Sequence, residues 1–509
     1  MIGPGREIGA NMKRTLGAAG GSSAGAASAS AAGSASPAAD AEAALVAEYV
    51  ERARAAQAQV ANYSQKEIDD LCLSVGWEVY NDKNIAKLAE LAVEATEMGN
   101  VADKITKHKV KVMGVLRDLQ TAKTVGLIER DEAKGISKYA KPVGVVGALL
   151  PVTNPTATPA SNGLGILKGR NAVIFAPHPR GAAASKLAVE YMRQGLRRVG
   201  APEDLVQMIE EPSIPKTNHL MQQVDLVLAT GGGAMVQAAY SSGTPAYGVG
   251  PGNSVQIIAE DADVADAVKK IALSKAFDHA TSCSSENSVI IHDSLYDRAL
   301  ELFEQDAKKS YIVRGAERQQ LEEWMWRPNK KGKIALNPEI VARSALKIAT
   351  DAGLSVPEDT KILLVEGTLP IEEDHFADEK LSPVLTVYKY SQFEEAVDIL
   401  THLTDNAGTG HSCGIHTWNQ KYIQALGERM RTSRIMVRQP QAPANGGNFF
   451  NGMPSTVTLG CGTWGGNITT ENIHWKHFIN VTWVSEPIEG RAPTDDEMWG
   501  DFRTRYTLD

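Results

Sequence analysis

The chain of 509 residues carries 43% hydrophobic and 22% charged side chains and a formal net charge of -9, the balance of a soluble globular protein rather than a fibre or a membrane span. That length exceeds one ordinary core, so two or three domains are expected, and the acidic balance lacks the basic face that a nucleic-acid partner requires. Four cysteines, Cys72, Cys283, Cys413 and Cys461, stand far apart without paired spacing, which fits a reducing, cytoplasmic setting.

Near the N-terminus, Ile8, Met12 and Leu16 recur at i, i+4 and i+8 among Arg6, Lys13 and Arg14, a narrow apolar stripe on a short helix. Residues 17–39 are almost all Gly, Ala and Ser and predict a disordered linker, because they cannot bury enough apolar surface to offset their ordering entropy. The stripe lacks the continuous apolar run of a secretory signal. Two readings stand for residues 1–39: a docking or targeting peptide on a tether, or an expression remnant or misassigned start, Met12 being a second one.

Helical spacing without breakers predicts helices over 38–61, 65–80, 82–98 and about 101–122. Ser64 with Glu67 three residues on reads as a capping box for the second. At Val143 the period changes. Continuous apolar runs at 143–150, 172–176, 205–209, 225–229 and 245–250 are those of strands buried on both faces. They alternate with helical segments, the clearest over 182–199, which predicts a parallel, doubly wound α/β sheet of dinucleotide-binding type. Its ligand belongs at the carboxyl ends of the strands. There the turn Thr230-Gly231-Gly232-Gly233 opens a helix, and glycines let backbone N–H groups approach a pyrophosphate.

Residues 277–291, Phe-Asp-His-Ala-Thr-Ser-Cys-Ser-Ser-Glu-Asn-Ser-Val-Ile-Ile, set Cys283 in a small, hydroxyl-rich turn before a β-branched run. A thiol so placed is a candidate nucleophile. His279, four residues earlier, reads as the thiol's base, as a wall of the substrate pocket, or as a hydrogen-bonded structural histidine. The run His411-Ser-Cys-Gly-Ile-His416 has metal-ligand residue types, but no metal is expected. Cys461 lies in a glycine-rich turn, as a small buried residue or at the border of the site. Aromatic and β-branched residues over 473–484 form a further strand, and the polar tail 485–509 yields no assignment.

Taken in order, Pro-Val-Thr-Asn-Pro-Thr at 151–156, Phe-Ala-Pro-His-Pro-Arg at 175–180, the glycine turn at 230–233, Gly-Val-Gly-Pro-Gly-Asn-Ser at 248–254, the Cys283 stretch and Glu-Lys-Leu-Ser-Pro-Val at 379–384 resemble the aldehyde dehydrogenase superfamily, and within it the CoA-acylating branch. The resemblance spans about residues 40–490, and since acylating dehydrogenases of bacterial microcompartments often carry a short amphipathic helix on a small-residue linker, the form of residues 6–16 and 17–39, it implies a microcompartment shell or cargo protein as partner of the N-terminal extension. It implies a dinucleotide-binding domain over 40–254 with flap strands near 129–142, an α/β catalytic domain over 255–460, and a return segment with an oligomerisation strand over 461–509, in a homodimer or homotetramer. It implies that Cys283 attacks the aldehyde, that the Asn154 amide and the Cys283 N–H hold the oxyanion, and that Glu379 holds the nicotinamide ribose. Pro177, His178, Pro179, Arg180, Thr230, Gly231, Gly232, Gly233, Val249 and Gly250 fall to the cofactor, NAD or NADP.

One departure decides the expected reaction. Hydrolytic members carry a glutamate where Val249 stands, as base for the water that releases the acid. Without it the acyl thioester should await a thiol, coenzyme A, in ping-pong fashion. A hydrolytic dehydrogenase with its base elsewhere and a non-catalytic microcompartment cargo protein are the alternatives. No acid follows the strand ending at Phe175, and acids there commonly hold the ribose 2′-hydroxyl of NAD; Arg180 and His178 could instead meet a 2′-phosphate, or Arg180 the phosphates of CoA. Arg438 and the segment 445–454 fall where the family shapes its aldehyde pocket, and the C-terminal part resembles sulfoacetaldehyde enzymes, whose sulfonate suits an arginine. Acetaldehyde and propionaldehyde are the other candidates.

Overall fold

A computed structural model describes residues 37–506 except Ala307, so the apolar stripe and nearly all of the small-residue linker lie outside the described residues. Four helices, α1 (Pro37–Val60), α2 (Gln65–Tyr80), α3 (Asp82–Thr96) and α4 (Val101–Gln120), open the chain. The Ser64 hydroxyl accepts the Glu67 N–H while the Glu67 carboxylate accepts the Ser64 N–H, the capping box expected from the spacing. Helix α3 stops two residues short of the expected 98, because Glu97 adopts a left-handed conformation, φ 55°, that a helix cannot continue through.

Strands β1 (Gly126–Asp131) and β2 (Ile136–Pro142) form a hairpin, and β3 (Val145–Leu149), β4 (Ala172–Ala176), β5 (Val206–Met208), β6 (Leu226–Thr230) and β7 (Ala246–Val249) follow. The last five make one parallel sheet in the order β5-β4-β3-β6-β7. Every residue of β3, β4 and β6 is buried, as their uninterrupted apolar runs require in a sheet covered on both faces. Helices α5 (Ala157–Lys168), α6 (Ala182–Arg198), α7 (Ile214–Gln223) and α8 (Gly233–Tyr240) connect these strands. The order turns at β3, so the loops after β3 and β6 part there and leave a crevice.

Five residues after β7 ends at Val249, the chain enters a second sheet at Ser254. Strands β8 (Ser254–Ile258), β9 (Glu286–His292), β10 (Ser310–Val313), β13 (Ile362–Glu366), β14 (Val384–Tyr390), β15 (Cys413–His416) and β16 (Ile435–Val437) build a second parallel sheet, ordered β10-β13-β14-β9-β8-β15-β16, while β11 (Trp326–Pro328) and β12 (Ile334–Leu336) form a separate hairpin. Helix α9 (Val264–Ala276) joins β8 to β9. A third, antiparallel sheet places the last strand, β17 (Ile479–Ser485), against β2. Asn171 ties this return to the first core: its amide donates to the Phe478 carbonyl at 2.7 Å. The tail without an assignment contains a helix, Asp495–Tyr506, none of whose residues is buried.

Candidate active site

The loop that carries Cys283 is bent before it reaches the thiol. Asp278, His279 and Ala280 all have left-handed backbones, φ 49°, 52° and 54°, a run that costs about 1–3 kcal/mol per residue and needs outside support. The buried carboxylate of Asp278 supplies it. It pairs with Lys104 at 3.2 Å and with Lys107, and accepts from Thr281 Oγ1 at 2.8 Å and the Asn100 N–H at 3.0 Å. Burial opposes charge on Asp278, but Lys107 and Lys104 outweigh it and hold the carboxyl below its ordinary value. The bend delivers Thr281, Ser282, Cys283 and Ser284 to the wall of a cleft of about 600 Å³ that lies between the two parallel sheets.

Cys283 is half-buried there, and its Sγ lies 3.1 Å from Nε2 of His411. His411 sits just before β15, with Nδ1 2.8 Å from the Ser412 hydroxyl, which is 2.7 Å from that of Ser254. Buried Arg434 accompanies it, donating to the His411 carbonyl at 3.0 Å and the Gly460 carbonyl at 2.7 Å. Burial, followed by the charge of Glu379, pushes the Cys283 thiol up to about 12, and burial, then Arg434, pushes His411 down to about 3. Both groups therefore rest neutral at pH 7. Gly252 makes the approach feasible: a Cβ there would stand 2.5 Å from the Cys283 carbonyl oxygen and 3.0 Å from the His411 ring.

Glu379 faces the same cleft, and its Oε1 accepts the Gly252 N–H at 3.1 Å. Burial pushes its carboxyl up to about 8. Two asparagines fix its loop. Asn253 donates to the Ala377 carbonyl at 3.0 Å, and Asn287 donates to the Asp378 carbonyl at 2.8 Å while accepting the Lys380 N–H at 3.2 Å. Behind Cys283, buried Lys275 shares a small void with Glu379, Ser254 and Asn287, and burial pushes its ammonium down to about 7.

The cofactor end is built by the first sheet. Thr230, Gly231, Gly232, Val249 and Gly250 line the cleft where β6 and β7 end. Gly232 caps α8 without any side-chain bond, and a Cβ at Gly232 or Gly233 would meet nothing within 4 Å. Free N–H groups facing open space fit a pyrophosphate. Asn154 and Thr158 line the same cleft, and Oδ1 of Asn154 and Oγ1 of Thr158 are buried without a partner, the pattern of a site awaiting a polar ligand.

The expected site residues divide accordingly. Cys283, Asn154, His178, Thr230, Gly231, Gly232, Val249, Gly250 and Glu379 line one cleft. Pro177, Pro179, Gly233 and Arg180 border it without lining it; the Arg180 guanidinium donates instead to the Thr96 carbonyl at 2.5 Å. Two expectations are corrected. Arg438 turns away from the cleft, donating to the Thr417 carbonyl and stacking on Trp418 at 3.9 Å. His279 is absent from the cleft wall too, and its ring interacts with the Ala342 backbone. The thiol's neighbour is His411, which the sequence offered only within a metal-like run. His411 precedes β15 by two residues and turns its Nε2 to the Cys283 sulfur, while His416 ends that strand. Elsewhere, Glu471, His474 and His477 bring three ligand-type atoms within 4.8 Å, but the Glu471 carboxylate already pairs with Lys476 and His477, and none of the three lines the cleft.

Comparison with known proteins bears on what this cleft is. A model of the aldehyde dehydrogenase family matches residues 30–462. The chain belongs to the aldehyde dehydrogenase family. This dehydrogenase is 65% identical to the sulfoacetaldehyde dehydrogenase of an Acholeplasma species, over 90% of this chain and 94% of that one. It is 60% identical to the acylating sulfoacetaldehyde dehydrogenase of Bilophila wadsworthia, over 91% and 99%. Among solved structures, the acetylating aldehyde dehydrogenase of Geobacillus thermoglucosidasius superposes with a TM-score of 0.85 at 35% identity, covering 90% of this chain and 99% of that one. The propionaldehyde dehydrogenase of Rhodopseudomonas palustris, with CoA bound and a cysteine acylated, does so at 0.76 and 27% identity, covering 87% and 97%. Among the described residues, no helix of this dehydrogenase is long and apolar enough to cross a membrane.

Proposed function

We propose that this chain catalyses the CoA-acylating oxidation of sulfoacetaldehyde: aldehyde, coenzyme A and NAD(P)+ give sulfoacetyl-CoA, NAD(P)H and a proton. One observation carries the acylating half of this reading: Val249 lines the cleft that holds Cys283, and Glu379 is the one carboxylate among the lining residues. The two relatives named for sulfoacetaldehyde carry the substrate.

Each residue then has a task. Cys283 Sγ forms the bond to the aldehyde carbon, and His411, the group within reach of that sulfur, takes the thiol proton. Asn154, whose amide has only a 3.4 Å contact with Thr153, donates to the developing oxyanion. A nicotinamide held at the cofactor end supplies the hydride acceptor. Glu379 orients it, Thr230 and the glycine turn seat its phosphates, and the end where His178 lines the cleft, with Arg180 two residues on, accepts NADP as well as NAD. With an apolar side chain at 249, the Cys283 acyl thioester passes to the CoA thiol. A carbon–sulfur bond forms to CoA, the bond to Sγ breaks, and Cys283 regains its proton. The subunits pair through β17, whose Val481, Trp483 and Val484 are exposed on the third sheet.

Purified protein assayed with sulfoacetaldehyde, propionaldehyde and acetaldehyde, with NAD or NADP, should reduce the cofactor continuously only when CoA is present, and fastest with sulfoacetaldehyde. Cys283→Ala should abolish turnover. Release of free acid without CoA at the rate of thioester formation with it would replace this reading with a hydrolytic one.

A further inference from the structure

The end of the cleft away from the glycine turn is walled by α4, which presents Thr106, Lys107, Val110 and Lys111. Facing them are Thr281 and Ser282 of the nucleophile loop and Gly446 and Asn448 of the loop opposite. Two of these side chains are cations, and no acid lines this end: the lining carboxylate, Glu379, reaches Gly252 on the other side of Cys283.

The two lysines differ in their partners. Lys107 is anchored on Asp278, which it shares with Lys104, and it donates to Thr281 Oγ1 at 2.9 Å. Two ammonium groups on one carboxylate leave positive charge over, although Asp103 lies close enough to act on Lys104. Among the described residues Lys111 has no carboxylate partner. Its side chain is buried, and its Nζ donates to the carbonyls of Gly446 at 2.7 Å and Gly447 at 3.3 Å. An ammonium has three donors, so one remains for the cleft. Burial, reinforced by the charge of Lys107, pushes Lys111 down to about 8, as expected of a cation without its counter-ion. Keeping such a charge buried is costly unless a ligand completes it.

We propose that Lys111, with Lys107 one turn earlier on the same face of α4, is the anion subsite of the aldehyde pocket, and that the anion it takes is the substrate's sulfonate. This rests on the acylating reading above and names the residues that select the substrate. A sulfonate stays ionised throughout the working pH range and offers three acceptor oxygens, while lysines at i and i+4 lie about 5–6 Å apart at Cβ, a span that one tetrahedral anion can bridge. Lys107 contacts Thr281, two residues before the nucleophile, so an aldehyde on Cys283 with its anion on these lysines is a short one. The task expected of Arg438 passes to residues on α4.

Lys111→Met keeps the length and apolar stem of the side chain and removes its charge. Its kcat/KM for sulfoacetaldehyde should fall about 100-fold, the usual scale for removing a charge-assisted contact, while its kcat/KM for propionaldehyde and its KM for CoA stay within about threefold of wild type. Lys111→Arg should recover part of the loss. Ethanesulfonate, an inert probe with the same headgroup, should inhibit wild type competitively against the aldehyde and Lys111→Met at least about tenfold more weakly. Equal losses with both aldehydes would make Lys111 a loop anchor, a raised KM for CoA would assign it to CoA, and unchanged use of sulfoacetaldehyde would place the sulfonate elsewhere. Each overturns the subsite. A wild type that prefers propionaldehyde would instead sink the substrate reading before any substitution, and the ethanesulfonate comparison would still decide whether the anion subsite exists.

Discussion

Cys283 and His411 are 128 positions apart in the sequence, and their reactive atoms are 3.1 Å apart in the fold. The cysteine comes from the loop before β9 and the histidine from the loop before β15, two strands that flank β8 in the second sheet. Parallel neighbours start at the same edge, so the loops that enter them meet there.

That pairing predicts a quiet resting thiol. With the thiol pushed up to about 12 and the imidazole down to about 3, the thiol–imidazole pair outweighs the ion pair at neutral pH. Iodoacetamide should label Cys283 slowly at pH 7, and the rate should rise close to tenfold per pH unit between about 8 and 10, since only the thiolate reacts. Mass spectrometry of the labelled peptide measures this. A rate that is high and flat from pH 6 to 9 would mean a preformed thiolate–imidazolium pair.

His411 should matter to turnover more than to binding. His411→Gln should lower kcat by about 10²–10³-fold, within the range of general acid–base catalysis, with aldehyde KM changed little. His279→Gln, away from the cleft, should retain most activity. The reverse ranking would return the proton-transfer role to His279.

At position 249 a carboxylate should change the fate of the acyl group. Val249→Glu is expected to release sulfoacetate in the absence of CoA at a rate well above wild type, with some loss of thermal stability because Val249 is buried. Product analysis by NMR separates acid from thioester. No gain in acid would show that hydrolysis is limited by water access rather than by a missing base.

Asp278 holds the nucleophile loop through Lys104, Lys107 and Thr281. Asp278→Asn should cost about 3–5 kcal/mol, because it leaves two largely buried ammonium groups without their carboxylate, and should lower both the thermal midpoint and the activity. The carboxyl is held below its ordinary 3.8. Its stabilisation is therefore full above the unfolded-state value and lost as pH falls through the folded one. The gap between wild type and variant should be constant from about pH 5 to 7 and narrow below about pH 4. A gap that persists unchanged to pH 3 would show that the carboxylate's charge is not what supports the loop.

By itself the sequence determined the five strands of the first sheet and helices α1 to α4 and α6 to within about two residues at each end, because strands buried on both faces and helices with one apolar stripe write their burial directly into local periodicity. The Ser64–Glu67 box and the helix from Gln65 to Tyr80 are local chemistry and were legible as such. So were the family motifs, and with them Cys283, Asn154, Glu379 and the valine at 249. What a side chain far along the chain touches is written in no local pattern. Only the tertiary structure decided that His411, Arg434 and Lys275 surround Cys283, because parallel strand order, not sequence distance, brings their loops to one edge. It also turned Arg438 onto Trp418 and away from the cleft, a choice made by a nearby carbonyl and an indole face that the residue's position cannot reveal. Nothing in the spacing of residues 101–122 separates Lys107 and Lys111 from the other charges of α4; the fold does, by burying one face of that helix against the Cys283 loop. A charge becomes a binding site only when its surroundings remove water and withhold a counter-ion, and both are properties of the packed molecule.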